Sequence, residues 1–326
     1  MLKRRILSGL IALSILFILF SLTACGGYKE VPQTEEEARV VMTLGEYRVT
    51  ADLYLALYRS HSRSYDRPEE HRAEIDAAVL SRLGALFAPL LLYSEGGGDP
   101  SGDEIGDRVD DAIAEEVEAY GSHEAYLAAL REGGLNDYVA RLLYRSGYCE
   151  EALLSDATTV ERQAALSYET VSEFFASNRC SRVVFFRYPT KAKADAAYAD
   201  AVQAAQSGGD AKRVLASKTM MSVAEIEEGE YIGDKELDRA LYGDAIDAAF
   251  SLAVGAFSGV LDFDGSYCIV YRMEKDGDAL SSADFLSQMR ITLCRNLFYD
   301  LLDERASALA AQVQYTDLFD TISIEG

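Results

Sequence analysis

The sequence predicts an α+β fold in which a mostly helical region is interrupted, late in the chain, by a smaller module of strands and helices. Three observations lead there. Apolar residues recur at helical spacing from Ala51 to Leu154, punctuated by glycines. Two β-forming runs, Arg182-Val183-Val184-Phe185-Phe186-Arg187-Tyr188 and Tyr267-Cys268-Ile269-Val270-Tyr271, bracket an alanine-rich helical stretch. Helical spacing then returns, with Phe285, Met289, Leu293, Leu297 and Leu301 recurring at fours.

The chain opens with Lys3-Arg4-Arg5, followed by an uncharged run from Ile6 to Leu22 broken only by Ser8, Gly9, Ser14 and Ser21. This is the charged-then-apolar pattern of an export signal. The run is at the short end for a spanning helix, which needs about 20 apolar residues. It ends in Leu22-Thr23-Ala24-Cys25, followed by Gly26-Gly27, which resembles a lipobox. Small residues before the cut suit a signal peptidase, and only a thiol at the new first position can accept a diacylglyceryl group. Residues 1–24 are therefore expected to be removed and Cys25 to carry the lipid. The alternative is an uncleaved anchor with an incidental cysteine. Both readings place the rest of the chain outside the cytoplasm, on the outer face of a bacterial membrane, and the two or three acyl chains of a mature lipoprotein hold firmly where one would not.

Residues 25–39, polar and acidic with Pro32, are expected to be a tether. Val40–Leu44 reads as a short strand, Gly45-Glu46-Tyr47 as a turn, and Ala51 to Tyr65 as an amphipathic helix. A longer helix follows Pro68, from Glu69 to about Tyr93, and ends at Gly96-Gly97-Gly98. Further helices are expected over Asp103–Tyr120, from Ser122 to Gly133-Gly134, and from Asn136 to about Leu154. Residues 40–175 are expected to form one helical domain.

Residues 176–278 form the second module: the first β run stopped by Pro189, a helix from Lys191 to Gln206, short helices at Glu236–Tyr242 and Asp244–Ser251, then Val260–Phe263, a turn at Asp264-Gly265 and the second β run. Residues 279–326 supply a closing helix of about seven turns and a β-like Tyr315–Ile324, expected to pack back on the amino-terminal domain.

Of 326 residues, 49% are hydrophobic, enough for a sizeable core. The formal charge of −23 becomes −26 once the three basic residues of the signal are removed. Such a surface repels nucleic acid and anionic headgroups, so a nucleic-acid partner is excluded. Cys149, Cys180, Cys268 and Cys294 show no CxxC or Cys/His cluster, so no zinc site is expected, and their pairing is open among three possibilities.

The stretch Ala248-Ala249-Phe250-Ser251-Leu252-Ala253-Val254-Gly255-Ala256-Phe257-Ser258-Gly259-Val260, followed by Asp264-Gly265-Ser266-Tyr267-Cys268-Ile269-Val270, resembles the carboxy-terminal half of a parvulin-type peptidyl-prolyl isomerase domain. The family pattern there is apolar-Phe-Ser-Leu, two residues, Gly-Glu, one residue, Ser, then a Gly-aromatic-His-Ile-Ile strand. Together with the helical region, the closing helix and the lipobox, the chain resembles the SurA and PrsA class of exported foldases. The resemblance implies a helical chaperone domain completed by the closing helix, an inserted parvulin-like domain, and unfolded exported polypeptides as partners.

The resemblance also assigns groove positions. The first-strand histidine falls near Val183, the last-strand histidine at Cys268, the apolar proline-pocket positions at Leu241 and Ala245, and the core phenylalanine at Phe250. Both family histidines are thus absent: His61, His71 and His123 all lie in the helical part. Prolyl isomerisation needs no nucleophile, metal or cofactor, only a groove that binds the twisted amide better than the planar one, against a barrier of about 18–20 kcal/mol. Losing the pair removes the scaffold that shapes such a groove.

Other constellations have plainer readings. Cys268 lacks a histidine in its module and lies in a β-branched strand, which suits a core thiol better than a nucleophile. His61 and His71 have polar neighbours and suit a solvated surface better than a metal site. Asp103, Glu104, Asp107, Asp110, Asp111, Glu115 and Glu116 form an acidic helical face, whereas calcium needs a loop. Tyr47, Tyr54, Tyr58, Tyr65 and Tyr93 suit either core packing or a surface for varied apolar segments. The reading is a lipid-anchored extracytoplasmic foldase or chaperone with a degenerate parvulin-like module. Its rivals are a competent peptidyl-prolyl isomerase and a non-catalytic adaptor lipoprotein.

Overall fold

The computed structural model describes residues 28–219, 221–263 and 265–322. The export signal, Cys25, Asp264 and the last residues of the expected closing strand lie outside them. The chain is α+β and divides into two compact units, a helical one (residues 28–157 with 297–322) and an α+β one (residues 158–296).

The helical unit opens on a hairpin, β1 (Val40–Leu44) and β2 (Tyr47–Thr50). Gly45, with φ of +58°, supplies the positive dihedral that a two-residue connection between Leu44 and Tyr47 requires. Sequence reading saw β1 but not β2. Helix α1 (Ala51–Ser62) follows without a loop, and a single 3-10 turn at Pro68–His71 leads into α2 (Arg72–Glu95). The expected helix end at Tyr65 and start at Glu69 thus each shift inward by about a turn, as helix ends commonly do. Three amphipathic helices complete the bundle: α3 (Asp103–Tyr120), α4 (His123–Gly133) and α5 (Asp137–Ala157). The Ser122 hydroxyl accepts the Ala125 N–H at 3.1 Å and caps α4. Helix α2 is long and apolar enough to cross a membrane by composition, but Ile75, Val79, Leu83, Phe87 and Leu90 are buried in the core of this unit.

On α3, Ile105, Val109, Ile113 and Val117 form the buried stripe, which leaves the acidic residues on the solvated side. The tyrosines divide toward packing: Tyr54 and Tyr58 are buried in the core, and Tyr47, Tyr65 and Tyr93 pack against it half-buried. Tyr54 Oη donates to Asp76 Oδ1 at 2.5 Å, and the Tyr47 ring stacks on Phe87.

Residues 28–37, expected to be a tether, carry no strand or helix but are held in place: the Val31 N–H donates to Asp137 Oδ2 at 2.8 Å and Gln33 Nε2 to Asp52 Oδ2 at 2.7 Å.

The α+β unit begins with two short helices that periodicity missed, α6 (Val160–Ala165) and α7 (Tyr168–Ala176), capped by Thr159 and Ser167. Residues 158–175 therefore group with this unit and not with the helical domain. The reason is packing: Val171, Phe174 and Phe175 share a core with Met289 and Leu293. Strand β3 (Ser181–Tyr188) leads to α8 (Lys191–Gln206), α9 (Ala211–Lys218) and α10 (Val223–Glu228), then β4 (Glu230–Ile232). Helices α11 (Lys235–Tyr242) and α12 (Ala245–Ser251) precede β5 (Leu261–Phe263) and β6 (Ser266–Met273). The strands form an antiparallel sheet in the order β4-β3-β6-β5. Helices α9 and α10 and strand β4 escaped sequence reading because each is short, yet Asp210 and a Ser222/Glu225 capping box mark both helix starts.

Strand alternation divides the core into two layers. Val184, Phe186, Tyr188 and Ile269 face α8 and α9, where Ala194, Ala197 and Ala201 let the helix lie close to the sheet. Val183, Phe185, Cys268 and Val270 face the opposite way, against Ala245, Ile246 and Ala249 of α12.

The closing helix α13 (Ala283–Ala310) contributes its first half to the α+β unit and its second half to the helical unit. Met289 and Leu293 are buried, but Leu297 and Leu301 are 47% and 40% exposed; Phe298, Leu302 and Leu309 are the buried residues of the second half. Residues spaced by four advance about 40° past a full turn each time, so a stripe at fours drifts round the helix. The chain then forms β7 (Val313–Tyr315), antiparallel to β1, and a 3-10 turn at Phe319–Thr321 in place of the expected strand to Ile324.

Within the helical unit Gly84 allows α2 and α13 to approach: a Cβ there would lie 2.3 Å from the Ala306 carbonyl oxygen. Gly84→Ala is expected to cost about 1–3 kcal/mol in urea unfolding, because backbone must move. Gly147→Ala, in open space on α5, should instead stabilise by about 0.5–1 kcal/mol.

Candidate functional site

The positions that sequence comparison singled out, Val183, Leu241, Ala245, Phe250 and Cys268, all fall in the α+β unit, and the β3–β6 register decides how they meet. Val183 pairs with Arg272 and Cys268 with Arg187. Val183 and Cys268 therefore share one face of the sheet but do not oppose each other; four rungs separate them, about 13 Å along the strands. Both are fully buried, as is Ala245, and with half-buried Phe250 they belong to one apolar layer. Leu241 does not join it and is 59% exposed.

Opposite Val183, the buried Arg272 guanidinium donates to the Leu252 carbonyl at 2.6 Å and the Phe250 carbonyl at 3.2 Å. A cation there satisfies carbonyls at the end of α12. Burial pushes the Cys268 thiol up to about 11, with Arg187 pulling only weakly the other way. A thiol so placed is protonated and sealed, which removes it as a nucleophile.

The outer part of this face is aromatic. The Tyr242 ring stacks on Phe185, centroids 4.2 Å apart and planes within 4°, and lies 6.3 Å from Phe263. The exposed Arg187 guanidinium sits 4.9 Å from the Phe263 centroid. Glu230 stands on β4 across from Val183 and accepts a hydrogen bond from the Tyr242 hydroxyl. Burial first, then this bond to a carboxylate, raises the Tyr242 phenol. The result is a half-exposed shelf of Tyr242 and Phe263 with a cation and a carboxylate at its borders, beside the exposed Leu241. Such a surface supplies apolar contact and hydrogen bonding, with no group poised for bond making. Sequence reading missed Tyr242, Phe263, Arg187 and Glu230. The alternation Val183, Phe185, Arg187 on β3 was the available signal for one of them.

The strand β4 and α11 are joined through Asp234 and Asp238. The Asp234 carboxylate pairs with Arg295, and Asp238 Oδ2 accepts the Gly233 N–H at 2.7 Å. Burial pushes the Asp238 carboxyl up to about 6, against the lowering effect of the Gly233 bond.

The remaining candidates lie in the helical unit and do not converge. His61 is shifted down by burial, then by Arg82. His71 Nδ1 lies 3.1 Å from Glu74 Oε2, and the His123 ring stacks on Tyr28. Among the described residues no three His, Cys, Asp or Glu side chains group to hold a metal. Cys149, Cys180, Cys268 and Cys294 are buried free thiols.

No family model and no curated protein matches the chain. Among solved structures it is similar to the foldase protein PrsA from Streptococcus pneumoniae, at 19% identity over 76% of this chain and 90% of that one, with a TM-score of 0.30. It is also similar to PrsA from Lactococcus lactis (14% identity, 86% and 95% covered, TM-score 0.28) and to PrsA from Bacillus subtilis (14%, 88% and 98%, TM-score 0.26).

Two outcomes check this geometry. Thiol reagent at pH 8 should leave all four cysteines unmodified in the folded protein, since a rise from 9 to about 11 at Cys268 alone cuts the thiolate fraction about 100-fold. Denaturant should release all four. For Asp238 the folded value lies above the unfolded one, so its contribution is full below about pH 4 and is lost as pH rises through 6. Asp238→Asn keeps an acceptor for Gly233 and removes that dependence: compared by urea unfolding, wild type should gain stability relative to the variant as pH falls from 7 to 4.

Proposed function

We propose that the chain is an extracytoplasmic, lipid-anchored protein of the foldase or chaperone type, whose α+β unit binds apolar segments of exported polypeptides without prolyl isomerase chemistry. The observation that carries this reading is the state of the sheet face described above. Where the parvulin resemblance calls for two facing histidines, this face holds Val183 and Cys268, buried and out of register, under a shelf of Tyr242 and Phe263 flanked by Arg187 and Glu230.

Aromatic rings offer large contact area at small entropic cost, and the two charges give an extended chain hydrogen-bonding partners without demanding one sequence. Prolyl isomerisation asks for more: a closed groove that grips the amide in its twisted state. A filled apolar layer cannot accept a proline ring without displacing side chains, which supports binding and not turnover. Cys25 supports the extracytoplasmic setting through the lipobox pattern. No metal or cofactor enters this reading.

The test pairs two assays on the full chain. With a proline-containing peptide, wild type should leave the spontaneous isomerisation rate unchanged; acceleration at rates typical of an isomerase would refute the binding-only reading. With an unfolded model client, wild type should suppress aggregation, and Leu241→Lys, at an exposed position that leaves the core intact, should need several-fold more protein for the same effect. Equal suppression by the two proteins removes this face from client binding, and no suppression by either favours an adaptor.

A further inference from the structure

The segment that follows Cys25 is clasped by buried charge. Asp137 and Arg141, one turn apart on α5, are 2% and 5% exposed, and Arg141 Nε donates to Asp137 Oδ2 at 3.0 Å. The same Asp137 oxygen accepts the Val31 N–H at 2.8 Å, and Arg141 Nη2 donates to the Tyr28 carbonyl at 2.5 Å. Arg141 Nη1 reaches Asp110 Oδ1 on α3 at 2.5 Å, and the Tyr28 ring stacks on His123, centroids 5.0 Å apart. Asp137 Oδ2 and Arg141 thus bond each other and the backbone of an otherwise irregular segment, and Arg141 also ties the pair to Asp110 on α3. A buried pair of this kind contributes little net stability over apolar packing and is better suited to fixing one arrangement.

We propose that this clasp makes residues 28–33 a docked strap that seats the helical unit directly on the membrane, with the surface around Tyr28 against the phospholipid headgroups. The inference rests on Cys25 carrying the lipid. Only Gly26 and Gly27 separate Cys25 from Tyr28, so three Cα steps, about 11 Å at full extension, join the lipid-bearing residue to a clasped one. Had the chain been free until β1, fifteen steps would separate Cys25 from Val40, and the unit would range over tens of ångströms, about 50 Å at most.

Charge fits the same orientation. The chain carries 54 acidic against 31 basic residues, which anionic lipid would repel. The shallow cavity beside the strap, about 280 Å³, is lined by Lys29, Arg141 and Arg145 together with Glu30 and Asp110, and with Asp137, the buried partner of Arg141, the charges there balance. That balance lets this patch approach headgroups which the acidic remainder avoids.

The experiment uses the full lipidated chain. Hydrogen exchange in detergent reads the clasp alone: the Val31 amide should exchange at least about tenfold more slowly than a free amide, because its N–H is bonded within the fold. Exchange at the free rate overturns the strap. Energy transfer then reads the seat, from a fluorophore on Glu124→Cys, exposed beside His123, to headgroup-labelled lipid in phosphatidylcholine and phosphatidylglycerol vesicles. Ten Gly/Ser residues inserted between Gly27 and Tyr28 touch no described contact, add about 17 Å of reach, and should lower transfer at least about twofold. Val31→Pro removes the donated N–H while sparing both buried charges, and should lower transfer likewise. Equal transfer from all three proteins overturns the proposal. Failure of wild type to bind vesicles overturns the lipid reading at Cys25, and Val31 protection in that case isolates the failure to the anchor.

Discussion

The pairing of β3 with β6 is the constraint on which the α+β unit depends. Seven rungs join residues 182–188 to residues 267–273, about 85 positions away in sequence, and the helices of the unit pack on the two faces they define. One face takes Val184, Phe186 and Ile269 to α8 and α9; the other takes Val183, Phe185 and Cys268 to α12. A slip of one residue would exchange these sets and expose both, so the register is held by two apolar layers at once. The short edge strands β4 and β5, three residues each, then limit how much unpaired backbone the sheet presents.

That register also settles what the candidate face can do. It puts Arg187 across from Cys268 and Arg272 across from Val183, so each supposed catalytic position meets a cation. Arg272 is committed to the carbonyls that end α12, while Arg187 is free to lie over Phe263. The exposure of the aromatic shelf and the sealing of the thiol beneath it follow from the same alternation. A different device, the Asp137–Arg141 pair, holds backbone groups of Tyr28 and Val31 against the helical unit.

Much of this was legible in the residues. Strand β1, helices α3 and α8 and the β3 and β6 runs all stand where β-forming runs, helical spacing and glycine punctuation put them: the two helices are long and bury one stripe each, while β3 and β6 are eight-residue runs with both faces buried. Short elements were not legible: α9, α10 and β4 bury one or two residues apiece, such as Leu215 and Ile226, too few to set a period. The fourfold recurrence on α13 misled for a geometric reason, since Phe298 and Leu302 replace Leu297 and Leu301 once the stripe has rotated. At the site, the parvulin resemblance put Leu241 at a proline-pocket position, while its neighbour Tyr242 makes the contact with Phe185. One helical position is a turn of about 100°, and composition alone does not resolve it. The strap was invisible for the same kind of reason, as an aspartate and an arginine four apart on a helix usually read as a solvated pair.

The account's central claim is that exported, unfolded chains are bound on the shelf beside Leu241 and Tyr242. The most direct measurement is photocrosslinking from single sites on the full-length protein, with the reactive group placed at Leu241 and, for comparison, at Ser207 at the end of α8, on the side of the sheet served by α8 and α9. The account predicts that an unfolded client crosslinks from Leu241 and that the same client, once folded, does not, while Ser207 gives only background. Equal crosslinking from both positions, or none from Leu241, would contradict it.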